Sequence, residues 1–230
     1  MLTAIVVAAG QSRRMGVAGD KILAKLAGHP LVAHSLAVLS SLPEVSDIVL
    51  VGNSAQIDTL NVLVEEYDFS KVRAVVPGGE ERRESVSLGL EAIDWPVEYV
   101  AVHDAARPCL AKAEAREVIA DGVAYGAATL AIPVVDTIKQ VEYGAVVATL
   151  DRSSLWAIQT PQVFKYDWLV KGHANWRQVR EPITDDAVLV SALGHKVRVT
   201  PGSRANVKVT TPEDLLLATF YLEQGGRLCL

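Results

Sequence analysis

Short runs rich in β-branched residues alternate with longer amphipathic stretches along most of the chain. Such runs predict buried strands of a parallel sheet at Thr3–Ala8, Asp47–Val51, Lys71–Val76, Tyr99–Val102 and Ala128–Val134. The stretches between them predict helices at Leu31–Ser41, Ala55–Tyr67, Ser85–Ile93 and Lys112–Tyr125. This alternation predicts an α/β fold with a Rossmann-like, doubly wound and mainly parallel sheet, which binds ligands at the carboxyl ends of its strands.

One segment departs from the alternation and predicts a β-hairpin. Ile138–Val141 and Val146–Leu150 flank Glu142–Ala145, which contains a Tyr-Gly turn, and no helical pattern lies between them. We interpret residues 136–154 as an arm inserted within a single domain that spans residues 1–230. Because apolar side chains on a projecting arm need a partner surface, the arm predicts a homodimer.

The last third of the chain returns to helical and strand patterns. Helices are predicted near Tyr166–Asn175 and Thr184–Leu193, a strand pair at Val197–Thr200 and Val207–Val209, and a final helix from Pro212.

Composition and charge narrow the class of protein. Half of the residues are hydrophobic and 21% are charged, as in a compact globular enzyme and unlike a disordered chain. The net charge of -5 argues against a general attraction to nucleic acid or to an anionic membrane. Two cysteines, without metal-ligand spacing, are typical of a reducing compartment. Met1–Ala9 lacks the basic start of a signal peptide, so we expect a cytoplasmic protein.

The loop after the first predicted strand is rich in glycine, alanine and arginine. Residues 1–30 contain four basic side chains, Arg13, Arg14, Lys21 and Lys25, against the one acid Asp20. A concentrated positive charge beside small residues favours a small polyanion such as a nucleotide phosphate chain. The loop matches neither G-x-x-x-x-G-K-[ST] nor G-x-G-x-x-G, which argues against a P-loop enzyme and a dinucleotide dehydrogenase. Taken alone, it is also compatible with a surface turn carrying solvated arginines.

Five segments together resemble one enzyme family. Ala8-Ala9-Gly10, Arg14-Met15-Gly16 and Asp20-Lys21 form a loop similar to that of sugar-nucleotide pyrophosphorylase-like nucleotidyltransferases. The other four segments are Gly78-Gly79-Glu80-x-Arg82-x-x-Ser85-Val86, His103-Asp104-Ala105-Ala106-Arg107-Pro108-Cys109, Thr160-Pro161-Gln162, and Asn206-Val207-Lys208-Val209-Thr210-x-Pro212-Glu213-Asp214. With them the chain resembles the 2-C-methyl-D-erythritol 4-phosphate cytidylyltransferases, from the first strand to the last helix. It departs from the family's usual Pro-Lys-Gln at Asp20-Lys21-Ile22 but keeps the lysine.

The resemblance implies a reaction and the residues that carry it. An acceptor phosphate oxygen would attack the α-phosphorus of CTP in line and displace pyrophosphate, so positioning and charge neutralisation replace a protein nucleophile. By resemblance, Arg14 and Lys21 hold the triphosphate and Lys208 stabilises charge at the α-phosphate. The positions that surround the cytidine in the family correspond here to Ala8, Ala9, Gly10, Gly79, Glu80 and Ser85.

The resemblance also implies an acceptor site and a metal. The acceptor polyol phosphate would contact Asp104, Arg107 and Thr160, while Thr137 and Arg152 of the arm would reach into the neighbouring subunit. A Mg²⁺ ion is expected, held mainly by the triphosphate with Asp104 as its protein ligand.

Some polar residues have a structural interpretation. We interpret His103 as a packed structural histidine, because this reaction gives a base little to do. Thr184-Asp185-Asp186 is typical of a helix N-terminus, where acids are favoured, and is assigned no chemistry.

Two other functions remain open at the level of sequence. The acceptor could be ribitol 5-phosphate or another sugar or polyol phosphate, because the enzymes that use it share most of these loops. In a different class, the chain could be a nucleotide-binding regulatory module without catalysis. Retention of Arg14, Lys21, Asp104 and Lys208 together argues against that module, since binding alone would not require all four.

Overall fold

A seven-stranded sheet forms the centre of the described part of the chain. The computed structural model describes residues 1–10, 21–224, 226–227 and 229–230. The sheet contains β1 (Leu2–Val7), β4 (Val45–Gly52), β5 (Val72–Pro77), β6 (Tyr99–Asp104), β7 (Ala127–Pro133), β10 (Trp156–Lys165) and β11 (Arg198–Pro201). Two short hairpins complete the strands, β2 (Lys25–Leu26) with β3 (His29–Pro30), and β8 (Lys139–Glu142) with β9 (Ala145–Thr149).

The strand order confirms the predicted fold class. The order is β11-β7-β10-β6-β1-β4-β5, and every neighbouring pair is parallel except those that β10 makes with β6 and β7. The helices are α1 (Leu31–Ser40), α2 (Ile57–Glu66), α3 (Arg82–Glu91), α4 (Lys112–Tyr125), α5 (Tyr166–Ala174), α6 (Asp186–Ala192) and α7 (Pro212–Glu223).

The sheet buries both of its faces. Along β1, Ala4 and Val6 belong to a core shared with α1, α2 and α4, whereas Ile5 belongs to a second core shared with α3, α5 and α6. Alternate side chains of a strand point to opposite faces, so helices on both sides are needed to cover these apolar residues. This is the doubly wound arrangement that the continuous apolar runs predict.

The predicted strand at Val207–Val209 is wrong. The structure assigns no strand to these residues, and the backbone N–H of Val209 donates to the carbonyl of Ala106 at 2.8 Å. A run of three β-branched or long side chains resembles a strand locally, but this segment crosses the carboxyl end of the sheet instead of pairing along a neighbour.

The antiparallel strand β10 was not among the predictions. Its pairing with β7 is irregular between Ile158 and Gln162, and polar residues interrupt its apolar pattern there. A strand containing Pro161 also lacks one N–H donor and reads poorly as a central strand. The place of β10 between β6 and β7 therefore follows from its pairing with these two strands, and the hydrophobic periodicity of its sequence does not reveal it.

Helix ends differ from the predictions by a few residues. Helix α3 begins at Arg82, three residues before the predicted start, because the Glu84 carboxylate accepts hydrogen bonds from the backbone N–H groups of Glu80 and Glu81. These donors would otherwise be unsatisfied at the helix start.

Two further observations concern membrane-spanning helices and the arm. Among the residues that the structure describes, no helix combines the length and the apolar character needed to cross a bilayer. The strands β8 and β9 pair with each other in a sheet of their own, as the hairpin prediction requires.

Candidate active site

A pocket of about 130 Å³ lies at the carboxyl ends of β1, β5 and β6. Every residue predicted to surround the cytidine lines this pocket, namely Ala8, Ala9, Gly10, Gly79, Glu80 and Ser85. Lys21, Asp104 and Lys208 line it too. Residues from five separate sequence segments therefore meet around one cavity. Arg14, the third predicted catalytic residue, lies outside the described residues.

The loop after β5 forms one wall, and its glycines permit close packing. A Cβ at Gly78 would lie 2.4 Å from Cβ of Ala9 and 2.7 Å from Oγ of Ser85, so a larger residue would force the two loops apart. The Ser85 hydroxyl accepts a hydrogen bond from the N–H of Gly79 at 3.2 Å and donates to the carbonyl of Glu81 at 3.1 Å. Ser85 thus shapes the loop that lines the pocket.

Asp104 ends β6 and binds two cations. Its Oδ1 accepts from Nε of Arg82 at 2.9 Å, and its Oδ2 accepts from Nζ of Lys208 at 2.7 Å. Burial alone would raise the pKa of the Asp104 carboxyl, but the charges and hydrogen bonds of Arg82 and Lys208 hold that pKa well below its ordinary value. Asp104 is therefore ionised at neutral pH and fixes the Lys208 ammonium at the pocket wall.

Arg82 and Asp186 extend this cluster and were missed as functional residues. Nη1 of Arg82 donates to Oδ2 of Asp186 at 2.6 Å, and Asp186 also accepts from Nε2 of His173 at 3.0 Å. Burial tends to lower the pKa of Arg82, but the carboxylates of Asp186 and Asp104 raise it above its usual range. Arg82 falls within a quoted motif, while Asp186 could not be distinguished from an ordinary acid at a helix start.

His103 and Thr160 hold the end of β6 in place. The Thr160 hydroxyl accepts from the N–H of Asp104 at 3.0 Å and donates to Nδ1 of His103 at 3.1 Å. Nε2 of His103 then donates to the carbonyl of Arg107 at 3.3 Å. Burial lowers the pKa of His103 to about 4, with the Asp104 charge opposing the shift and the Arg107 charge adding to it. The histidine is neutral and structural, as the sequence interpretation has it.

A second pocket, of about 220 Å³, adjoins the first, because the two share part of their lining. Three of the predicted acceptor-binding residues, Asp104, Arg107 and Thr160, line it. Both pockets are lined by Arg82, Asp104 and Lys208. Residues not predicted for this site also line it, namely Ile158, Gln159, Gln162, Thr184 and Asp185.

Arg107 is held by backbone carbonyls. Its Nη1 donates to the carbonyl of Asn206 at 2.7 Å and its Nη2 to that of Ile158 at 3.4 Å. Burial lowers the pKa of Arg107, and the Asp104 charge opposes that shift. The guanidinium is thus placed beside the second pocket as a fixed cation.

The two arm residues lie apart from both pockets. Thr137 and Arg152 are exposed and are not among the described residues that line either cavity. The Arg152 guanidinium donates to the carbonyl of Val135 at the base of the arm. Within one chain, therefore, the structure does not bring Thr137 or Arg152 to Asp104.

The donor set of the site fits a metal ion that is held mainly by phosphates. Within the described ranges, no group of three or more His, Cys, Asp or Glu side chains is arranged to hold a metal. Asp104 is the buried carboxylate of the pocket wall, and each of its oxygens keeps a lone pair beyond the one used by Arg82 or Lys208. Mg²⁺ commonly takes one or two carboxylates together with substrate phosphates and water.

Comparison with known proteins places this architecture in a family. Residues 2–224 match the family described as 2-C-methyl-D-erythritol 4-phosphate cytidylyltransferase. The enzyme of that name from Desulforamulus reducens is 41% identical across 99% of this chain and 98% of its own length. The one from Dehalococcoides mccartyi is 45% identical, with 96% of each chain covered.

A solved structure gives the same result for the fold. The 4-diphosphocytidyl-2C-methyl-D-erythritol synthase from Anaerococcus prevotii superimposes with a TM-score of 0.84 at 29% sequence identity, and the match covers 96% of both chains. The sheet and the helices on its two faces are therefore shared with that enzyme.

Proposed function

This chain belongs to the 2-C-methyl-D-erythritol 4-phosphate cytidylyltransferase family, and on that premise we propose how its residues catalyse the reaction. The chain is a nucleotidyltransferase that transfers CMP from CTP to 2-C-methyl-D-erythritol 4-phosphate and releases pyrophosphate, a step of non-mevalonate isoprenoid biosynthesis. The observation that carries the mechanism is the shared wall of Arg82, Asp104 and Lys208 between the two pockets.

Each of the two pockets binds one of the two substrates. The pocket lined by Ala8, Gly10, Gly79 and Ser85 takes the cytidine, because small side chains and backbone groups leave a narrow cleft with hydrogen-bonding edges. The pocket lined by Arg107 and Thr160 takes the acceptor. The acceptor phosphate then meets the α-phosphate of CTP at the shared wall.

At that wall the chemistry needs cations and no protein nucleophile. One oxygen of the acceptor phosphate forms a bond to the α-phosphorus, and the bond from that phosphorus to the bridging oxygen of the pyrophosphate breaks. Lys208, held by Asp104 at 2.7 Å, stabilises the charge that develops on the α-phosphate oxygens, and Lys21 acts on the triphosphate from the other side. Preorganised charges of this kind lower the barrier because they need no reorientation during the reaction.

Arg14 is proposed to assist Lys21 on the triphosphate, as the family resemblance implies. The side chain of Glu80 lines the nucleotide pocket and is proposed to contact the ribose. A Mg²⁺ ion bound to the triphosphate, with Asp104 as its protein ligand, would neutralise phosphate charge.

The arm is proposed to complete the acceptor site of a second subunit. Its exposed apolar side chains include Val141, Tyr143, Val146 and Val147, and such a patch on a small protein marks an interaction surface. In a homodimer formed through residues 136–154, Thr137 and Arg152 would reach the acceptor phosphate of the partner. The rest of the chain is proposed to form one domain.

The proposed setting is the cytoplasm. Cys109 and Cys229 are free, and burial raises the pKa of the Cys109 thiol to about 12, against a smaller opposing effect of Arg227. A buried thiol of this kind behaves as a packed apolar group and not as a reactive cysteine.

The function is tested by pyrophosphate release from CTP and Mg²⁺, with 2-C-methyl-D-erythritol 4-phosphate and ribitol 5-phosphate supplied separately. We expect release with the former and little with the latter. Release only with ribitol 5-phosphate would keep the mechanism and change the acceptor. If no pyrophosphate is released with either acceptor, or with other triphosphates, a regulatory nucleotide-binding role would be favoured.

A further inference from the structure

A chain of polar contacts between side chains runs from the wall between the two pockets into the interior. It passes from Lys208 to Asp104, Arg82, Asp186 and His173, with successive polar contacts of 2.7, 2.9, 2.6 and 3.0 Å. These residues come from the segment after β11, from β6, and from α3, α6 and α5. The inner two, Asp186 and His173, are buried and are not among the described residues that line either pocket.

The central guanidinium uses only part of its donor set. Nε of Arg82 meets one oxygen of Asp104 and Nη1 meets one oxygen of Asp186, while Nη2 is buried and has no hydrogen-bond partner among the described residues. Nε and Nη2 lie on the same edge of a guanidinium and commonly bind both oxygens of one carboxylate. Arg82 therefore binds Asp104 through Nε alone and does not form the bidentate contact in which Nε and Nη2 bind both carboxylate oxygens.

Asp186 binds the Arg82 guanidinium at its remaining nitrogen, Nη1. Asp186 is fixed by three contacts: its Oδ2 binds Arg82, its Oδ1 accepts from His173, and its backbone N–H donates to Oε1 of Gln162 at 3.2 Å. With Nη1 on Asp186, the guanidinium contacts Asp104 through Nε alone, and Nη2 makes no hydrogen bond among the described residues. The second oxygen of Asp104 then stays available to Lys208.

We propose that Asp186, held by His173, is a positioning residue that orients Lys208 through Arg82 and Asp104. Lys208 has a long flexible stem, and 41% of its side-chain surface is exposed. Its ammonium would sample many positions without a fixed carboxylate. Asp186 and His173 thus determine the position of the Lys208 ammonium at the α-phosphate, although neither residue contacts a substrate. This inference rests on the function proposed above.

The decisive experiment is a double-mutant cycle on pyrophosphate release. Asp186→Asn keeps the shape of the side chain but removes the charge that holds Nη1 of Arg82. We expect kcat/KM to fall by about 10- to 100-fold, the scale of misplacing a catalytic group from a distance. In a Lys208→Met background, the same Asp186→Asn change should cost less than about threefold, because residues acting through one group are not additive.

The control is a buried ion pair of similar type away from the pockets. Glu114 accepts from Arg227 at 2.9 Å, and both side chains are mostly buried. Glu114→Gln should leave kcat/KM within about twofold in both backgrounds. Thermal unfolding of every variant shows whether the fold is retained. If Asp186→Asn does not fold, His173→Leu replaces it, with a smaller loss of the same sign that again vanishes in the Lys208→Met background.

Equal fold losses in the two backgrounds would overturn the inference, since they would show that Asp186 acts independently of Lys208. Unchanged kcat/KM in a folded Asp186→Asn protein would overturn it as well. Failure of the proposed function is separate, because it shows as silence of the unmodified enzyme before any variant is made.

Discussion

At the carboxyl ends of the strands, two carboxylates lie buried and paired with cations, whereas the arm leaves apolar side chains in water. Asp104 and Asp186 are each almost fully buried, and each carboxylate oxygen has a donor. In the arm, Tyr143 and Val146 are among the most exposed apolar residues described. The carboxylates of the first region find their donors within one chain, whereas the apolar side chains of the second lie exposed to water.

The difference concerns where the geometry of each region comes from. A buried ion pair adds little net stability, because desolvation offsets much of the attraction, but it holds its members in one arrangement. The cluster of Asp104 and Asp186 with its cations is therefore held in place by the fold of the single chain. Apolar side chains of the arm are exposed in the single chain, which is why homodimerisation is proposed for it.

The largest expected effect concerns the nucleotide pocket at the strand ends. Lys21→Ala should lower kcat by about 10² or more, the scale of losing one preorganised charge stabiliser. Steady-state pyrophosphate release measures it. Lys25→Ala is the control, because Lys25 is exposed on β2 and does not line the nucleotide pocket. Nearly full activity of Lys21→Ala would remove Lys21 from the mechanism.

The next prediction concerns the apolar surface of the arm. Val141 and Val146 are paired across the hairpin and more than half exposed. Replacing both by Asp should weaken self-association by roughly 30-fold, since burying unpaired charge costs about 2 kcal/mol or more. Sedimentation over a range of concentrations measures the change. Val123→Asp, at a position of α4 that is 47% exposed, should leave association intact. An unchanged dimer in the double variant would place the interface elsewhere.

A smaller effect is expected from Arg152, the arm residue that is proposed to contact the acceptor in the partner subunit. Arg152→Ala should raise the KM for the acceptor by roughly tenfold and change kcat less, because one charge-assisted contact to phosphate is worth about 1.5 kcal/mol or more. Mixing this variant with Asp104→Ala protein should restore activity, since one hybrid site would then be intact. No restoration, despite demonstrated exchange of subunits, would count against shared sites.

The smallest effect is a pH dependence that belongs to the strand-end region. The pKa of His103 falls from 6.5 to about 4 on folding, so the unfolded chain binds a proton more readily and stability is lost as pH falls below 6.5. Between pH 6.5 and 5.5 the loss from His103 is about 1 kcal/mol.

Urea unfolding of the native protein and of His103→Gln measures this loss. The variant should lose less stability over that interval, while His34, whose pKa burial also lowers, acts equally in both proteins. The arm, residues 136–154, contains no histidine. Identical losses in the two proteins would show that His103 does not titrate as its burial requires.

Much of the fold and of the nucleotide pocket could be predicted from the sequence. Alternating apolar runs identify the parallel strands and the helices between them, because periodicity reports which faces are buried. Ala8, Gly10 and Gly79 follow strands at their carboxyl ends, and the topology of such a sheet gathers those ends at one edge. The predicted residues therefore meet in one pocket.

The sequence by itself determined the class of fold, the place of the pocket and the family resemblance, because these depend on local periodicity and on short motifs. Only the tertiary structure decided that β10 lies between β6 and β7, and that Val207–Val209 forms no strand. It also decided the pairing of Arg82 with Asp186 and of Asp104 with Lys208, each 104 positions apart. No local pattern encodes such pairs, since charges meet only where the packing of distant elements brings them together.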